Sequence, residues 1–121
     1  NNPNKILEEC QKKDIPILAI RAVQAGALTS SMDREPNSLG FDEADFRDFE
    51  KALPFRKFAE EINETPASLA HRYALSIDQV GSVILGVKNR KELIECIEAE
   101  EKGLLDEDVM SNLEKLFKNM E

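Results

Sequence analysis

Apolar residues along this chain follow two kinds of pattern. Two short runs, IPILAI at 15–20 and VGSVIL at 80–85, are apolar at most or all of their positions. A strand that is buried on both faces has no polar face, so such runs predict strands of a parallel sheet. The flanking segments repeat apolar residues every three or four positions, which predicts helices. The predicted order is therefore helix, strand, helices, strand, helices, an α/β pattern that is rich in helix.

Capping residues mark where several of these helices begin. The first helix is predicted over 3–13, another begins near 42–45 and ends before Pro54, and a third covers 55–62. Thr65 can cap the next helix, because Pro66 then occupies its first position. The expected core face of that helix consists of Leu69, Ala70, Tyr73 and Ala74.

The carboxyl-terminal part of the chain contains two more capped helices. Asn89 can cap the first, and Glu92 three residues later completes a pair that resembles a capping box. Asp106 is expected to cap the last helix. On the helix that follows Asn89, the spacing predicts that Leu93, Ile94 and Ile97 face inward.

Two strands of this kind cannot bury each other, because each needs neighbouring strands and covering helices. The chain is therefore expected to be part of a larger α/β domain. A self-contained fold, or one that an oligomer completes, is the alternative. Residues 29–45 are polar and irregular and include Pro36 and Gly40, and the segment 29–53 as a whole is predicted to be a surface excursion within a single unit of 1–121.

Composition narrows the classes of function. The 121 residues are 41% hydrophobic and 33% charged, as in globular proteins, and the net charge of −8 disfavours non-specific binding to nucleic acids or anionic membranes. No apolar run approaches the roughly 20 residues of a membrane span. Cys10 and Cys96 lack CxxC spacing and are expected to be reduced, buried thiols rather than a disulfide or a metal site. Together these features predict a cytoplasmic protein with no metal site.

The loops after the two predicted strands are the candidate binding elements. Each contains a glycine, Gly26 or Gly86, and ligands of α/β proteins bind beyond the carboxyl ends of parallel strands. Near the second loop, Lys88, Arg90 and Lys91 add positive charge beside a helix start, which favours a phosphate. An ordinary turn with solvated basic residues fits the same pattern. The spacing matches neither GxGxxG nor a Walker loop.

The residue types that carry catalysis are sparse. His71 is the sole histidine and Tyr73 the sole tyrosine, and their separation by two positions on a helix points them in different directions. Both are expected to occupy packed or surface positions. No Ser/His/Asp set, metal-ligand cluster or carboxylate pair is apparent, and no catalytic residue is predicted.

Three segments nevertheless resemble a known family. IRAVQAGALTSS, ETPASLAHRYALS and GSVILGVKNRKELIECIEAEEKGLLDEDVMSNLEKL are similar, in this order, to the carboxyl-terminal third of an aldo-keto reductase. The implied fold is a partial (β/α)8 TIM barrel, of which this chain supplies about the last two strands and the closing helices. Because such a fragment lacks the other strands of the barrel, it would explain why the two predicted strands have no neighbouring strands.

The resemblance also implies which residues bind a cofactor. The loop after the first strand would lie along the pyrophosphate and contains Arg21, Ala22, Val23, Gly26 and Leu28. The loop after the second strand would hold the adenosine ribose and its 2′-phosphate and contains Leu85, Gly86, Val87, Lys88 and Asn89. The following helix would offer Glu92, Glu95 and Cys96 to the adenine side.

Members of the family are oxidoreductases that reduce carbonyls to alcohols by hydride transfer from a nicotinamide cofactor, usually NADPH. Their catalytic Asp, Tyr, Lys and His come from earlier strands, so the resemblance implies that this chain is inactive by itself. The complete enzyme would bind NADPH and a small carbonyl substrate. Glu92 would repel a 2′-phosphate, and NADH is the alternative cofactor. The rival interpretation is a non-catalytic α/β binding or structural module that forms a domain-swapped or other homo-oligomer.

Overall fold

A computed structural model describes residues 3–30 and 43–120 of the chain. Within them, helices and strands follow the predicted order. The helices are α1 (Pro3–Lys12), α2 (Glu43–Lys51), α3 (Leu53–Glu61), α4 (Pro66–Leu75), α5 (Arg90–Glu101) and α6 (Glu107–Met120), and the strands are β1 (Ile17–Ala19) and β2 (Val80–Val83). A short 3-10 helix, Gln24–Gly26, lies in the loop after β1.

The two strands pair in parallel, as the sequence predicts. Ile17 lies opposite Val80 and Ala19 opposite Val83, with an irregularity between Ile17 and Leu18. The backbone N–H of Ile84 donates to the carbonyl of Ala19 at 2.8 Å and extends the pairing by one bond. Both strands are shorter than the apolar runs that predict them, because a residue beyond the paired stretch has no neighbouring strand to bond to.

The core lies between helices rather than beneath the sheet. Phe55 of α3, Leu69 of α4 and Leu113 of α6 are fully buried and belong to one cluster. The ring of Phe117 stacks on Phe55 at 5.8 Å between centroids and meets Tyr73 edge-on at 5.1 Å. Helix α4 contacts α3, α5 and β2, and it is therefore the element that connects the core to the sheet.

The expectation that the apolar runs are buried on both faces is wrong for the chain by itself. Leu18 in β1 is 62% exposed, and Ile20 just after the strand is 67% exposed. The reason is that α4 covers the sheet through β2, while Leu18 and Ile20 meet little of the described chain. Side chains this apolar and this exposed leave surface that a neighbouring element would bury.

Helix α4 begins and packs as predicted. Thr65 is its N-cap, and the Thr65 hydroxyl oxygen accepts a hydrogen bond from the backbone N–H of Ser68 at 3.2 Å. On the expected core face, Leu69, Ala70 and Ala74 are buried, while Tyr73 is half-buried against the core cluster.

Helix α5 departs from its predicted packing. Leu93, Ile94 and Ile97 are exposed, so the prediction that they face inward is wrong, and the buried residues are Cys96 and Ala99. The contact of α5 with α4 therefore uses small side chains, which allow the two helices to approach closely.

The predicted surface excursion 29–53 falls partly outside the described residues, at 31–42. Of the remainder, α2 is helical, and Ala52 between α2 and α3 is buried. The guanidinium of Arg56 lies 3.9 Å from the centroid of the Phe49 ring and donates to the carbonyl of Ala27 at 3.2 Å. These contacts attach α2 and α3 to the loop after β1.

Candidate functional site

A cleft of about 940 Å³ opens beyond the carboxyl ends of β1 and β2. Its walls come from the loop after β1, the loop after β2 and one side each of α4 and α5. The lining residues are Ile20, Arg21, Val23, Gly26, Thr29, Ser30, Ala67, His71, Ile84, Leu85, Gly86, Val87, Lys88, Asn89, Lys91, Glu92, Glu95 and Cys96. Eleven of the thirteen residues that the resemblance assigns to cofactor binding line this cleft, and the two that do not are Ala22 and Leu28.

The loop after β1 turns sharply as it leaves the strand. Arg21 and Gln24 have φ of 58° and 50°, in the left-handed region that residues other than glycine seldom adopt, and Gly26 has φ of 98°. The hydroxyl of Thr29 donates to the carbonyl of Gly26 at 2.6 Å and holds the end of the loop. Leu28 packs against the core cluster instead of lining the cleft.

The loop after β2 is exposed and leaves space beside its glycine. Leu85, Gly86 and Val87 are exposed, and a Cβ added to Gly86 would meet no atom within 4 Å. The loop therefore offers its backbone to the cleft without a side chain in the way at this position.

The start of α5 is held by the predicted capping pair. The Oδ1 atom of Asn89 accepts from the backbone N–H of Glu92 at 2.9 Å. In return, the carboxylate of Glu92 accepts from the backbone N–H of Lys88 at 2.8 Å, one residue before the cap. This pair is a capping box displaced by one residue, and it places an acidic side chain against the loop.

Glu95 lies one turn further along α5 and contacts α4. Its Oε1 atom accepts a hydrogen bond from the Thr65 hydroxyl at 2.8 Å. The N-cap of α4 and a carboxylate on the cleft wall are therefore joined directly.

His71 and Cys96 form a buried pair on the wall of the cleft. The Nε2 atom of His71 lies 3.2 Å from the sulfur of Cys96, and the Nδ1 atom is buried with no hydrogen-bond partner among the described residues. Burial lowers the pKa of His71, although Glu95 opposes this, and burial raises the pKa of the Cys96 thiol, with Glu95 and Glu92 adding to the effect. Both groups are therefore neutral near pH 7.

Sequence reasoning assigned His71 to a packed or surface position and did not associate it with the cleft. The side chain is indeed packed, and Tyr73 points elsewhere, to the core, as their spacing predicts. No local signal indicates the cleft position of His71, because its partner Cys96 lies 25 residues away on another helix. The other unassigned lining residues mostly adjoin the predicted loops.

Metal binding and membrane insertion find no support in the described part of the chain. Among residues 3–30 and 43–120, no group of three or more His, Cys, Asp and Glu side chains is arranged to hold a metal ion. No helix in these ranges is long and apolar enough to cross a membrane.

Comparison with known proteins identifies the family. The model of the Aldo/keto reductase family matches residues 1–118, whereas no curated protein matches the chain. The helix-rich architecture with its small parallel sheet is consistent with part of the α/β barrel of that family, so the expected fold class is confirmed. Because the match covers almost the whole chain, this protein belongs to the aldo/keto reductase family.

Proposed function

We propose that this chain is the cofactor-binding, carboxyl-terminal part of an NAD(P)H-dependent aldo-keto reductase that reduces carbonyls to alcohols. Membership of the family implies NAD(P)H-dependent oxidoreduction. The observation that carries the proposal is the cleft beyond the carboxyl ends of β1 and β2, which gathers residues from both strand-following loops. In parallel α/β sheets and barrels this is the edge at which ligands bind.

Charge along the cleft suits a dinucleotide. Arg21 follows β1, and Lys88 and Lys91 flank the start of α5, so positive charge lies where phosphates would sit. The first backbone amides of a helix also favour an anion. Glu92 and Glu95 lie further along α5, where carboxylates suit a donor group such as an amine and disfavour a phosphate. When bound, the cofactor supplies the hydride.

The exposed sheet supports the view that the chain is part of a larger barrel. Leu18 and Ile20 are largely exposed, and two parallel strands require further strands for stability. The remaining barrel strands would cover these side chains, and they would also supply the acid and base that protonate the carbonyl oxygen. In this proposal the chain alone binds the adenosine end of the cofactor and performs no reduction.

NADPH is the cofactor that we propose. Lys88, Arg90 and Lys91 offer positive charge for a 2′-phosphate near the start of α5. Glu92 opposes this choice, although one oxygen of its carboxylate already accepts a hydrogen bond from the backbone N–H of Lys88. NADH is the alternative, and the ratio of the dissociation constants of the two cofactors distinguishes them.

The test is an assay of the protein encoded by the complete gene that contains this chain. We expect NADPH consumption with at least one member of a panel of small aldehydes and ketones, and no consumption by the 121-residue chain prepared separately. Absence of turnover and of nicotinamide-nucleotide binding in the complete protein would overturn the proposal. If the gene encodes only this chain and gel filtration gives a stable oligomer, the non-catalytic module is the correct interpretation.

A further inference from the structure

The hydroxyl of Thr65 makes two hydrogen bonds that serve different elements. As an acceptor it caps α4 through the backbone N–H of Ser68 at 3.2 Å, and as a donor it reaches Oε1 of Glu95 at 2.8 Å. A threonine hydroxyl has one O–H donor and two acceptor lone pairs, so both bonds can exist together. The same atom therefore caps one helix and restrains a side chain on another.

Glu95 is the member of this pair that faces the cleft. It lies on the wall between Glu92 and Cys96, and it is partly buried. An ionised carboxylate only accepts hydrogen bonds and has about four acceptor positions. The bond from Thr65 uses one of them, and acceptor capacity remains for a ligand.

We propose that Thr65 is a positioning residue, which holds the Glu95 carboxylate where it accepts a hydrogen bond from the exocyclic amine of a bound adenine. This inference rests on the proposed function, together with the position at the adenine side that the resemblance implies for Glu95. A glutamate loses side-chain entropy when it becomes fixed on binding, and a restraint that already exists in the free protein reduces that cost. Thr65 thereby favours adenine over a purine that lacks the amine.

Two nearly isosteric substitutions separate this role from capping. Asparagine and aspartate both cap helices well, so Thr65→Asn and Thr65→Asp should each preserve the start of α4. The amide of asparagine can also donate to Glu95. The carboxylate of aspartate cannot donate, and it repels Glu95. Thr65→Ser retains both functions and serves as the conservative control.

The measurement is the binding preference for NADPH over its hypoxanthine analogue, in which a carbonyl replaces the adenine amine. In the complete protein we expect a preference of roughly tenfold, the size of one charge-assisted hydrogen bond. Thr65→Asp should reduce this preference to about threefold or less, while Thr65→Asn and Thr65→Ser keep it. A purely structural role would weaken both nucleotides equally and leave the preference unchanged.

The outcomes distinguish the two proposals. If the unmodified protein binds neither nucleotide, the proposed function fails. If it binds NADPH but shows no preference for adenine, or if Thr65→Asp keeps the full preference, the role of Thr65 is overturned and cofactor binding stands. Melting temperatures of the three variants should stay close to one another, since all retain a capping side chain.

Discussion

The carboxylate of Glu92 accepts a hydrogen bond from the backbone N–H of Lys88 at 2.8 Å, four residues earlier in the chain. Together with the bond from the N–H of Glu92 to Asn89, this contact closes the junction between the loop after β2 and α5. The same contact holds an acidic side chain next to Lys88 and Lys91 on the cleft wall. Glu92 therefore shapes the loop, and in the proposed function it adds a negative charge beside the bound nucleotide.

Reversal of this charge should change the choice between the two cofactors. We expect Glu92→Arg to raise the affinity ratio of NADPH to NADH by roughly tenfold, because a guanidinium attracts the 2′-phosphate that a carboxylate repels. Loss of the bond to Lys88 should weaken both cofactors alike, so the ratio of the two dissociation constants is the quantity to measure. Glu98→Arg makes the same charge change on an exposed part of α5 outside the cleft and should leave the ratio unaltered. An equal ratio in the two variants would contradict the assignment of Glu92.

The Arg72 side chain joins two distant connections of the fold. It donates to Oε1 of Glu64 before α4 at 2.8 Å and to the carbonyl of Gly103 after α5 at 3.0 Å. We expect Arg72→Met to lower the free energy of unfolding by about 3 kcal/mol, since it leaves Glu64 without its closest cation. Urea denaturation measures this change.

Lys102 provides the comparison for this prediction. Its ammonium lies 3.2 Å from the same Glu64 oxygen, but its side chain is 49% exposed, against 15% for Arg72. Solvent screens an exposed pair, and Lys102→Met should therefore cost less than about 1 kcal/mol. Equal losses in the two variants would show that charge alone, rather than burial and the bond to Gly103, determines the effect.

Glu64 should make stability depend on acid. Burial alone would raise the pKa of Glu64, but the side chains of Ser68, Lys102 and Arg72 together outweigh burial and lower it. A carboxyl with a lowered pKa in the folded state favours folding at pH values above its unfolded pKa, and this contribution is lost as pH falls through the folded-state pKa. We expect the free energy of unfolding to decrease below about pH 4.

Glu64→Gln should remove this part of the acid dependence and lower stability at neutral pH. Glu61→Gln, at an exposed position of α3, should keep the acid dependence of the unmodified protein. Unfolding curves recorded across the acid range test both statements. A slope that survives in Glu64→Gln would assign the acid sensitivity to other carboxyls.

The two cysteines should differ in reactivity. Cys96 is buried against His71 and burial raises the pKa of its thiol, whereas Cys10 is partly accessible. Because the thiolate is the reacting form, a disulfide reagent at neutral pH should label Cys10 at least roughly tenfold faster than Cys96. Labelling rates in Cys10→Ser and Cys96→Ser measure each thiol separately. Fast labelling in Cys10→Ser would show that Cys96 is open to solvent.

Local signals explain which features were predictable. Thr65, Asn89 and Asp106 were all predicted as caps, and each side chain accepts a backbone N–H three residues later. The sequence likewise predicts that the two strand-following loops bind a ligand, and both loops line the same cleft. These features depend on residues within a few positions of one another, and the sequence displays them directly.

Features that depend on distant contacts were missed. Periodicity placed Leu93, Ile94 and Ile97 inward, but the contact between α5 and α4 uses Cys96 and Ala99. Periodicity identifies an apolar stripe without naming the surface that covers it. The pairing of His71 with Cys96 across 25 residues had no local signal either.

The sequence by itself determined the order of helices and strands, their caps and the family, because each follows from short patterns or from a match along the chain. Only the tertiary structure decided which side chains meet in the cleft and which apolar faces lie exposed. The hydroxyl of Thr65 shows the difference. Its capping bond to Ser68 joins residues three positions apart and is predictable from the local sequence, whereas its bond to Glu95 exists because α4 and α5 pack side by side. Contacts between elements depend on their relative positions, which no local pattern specifies.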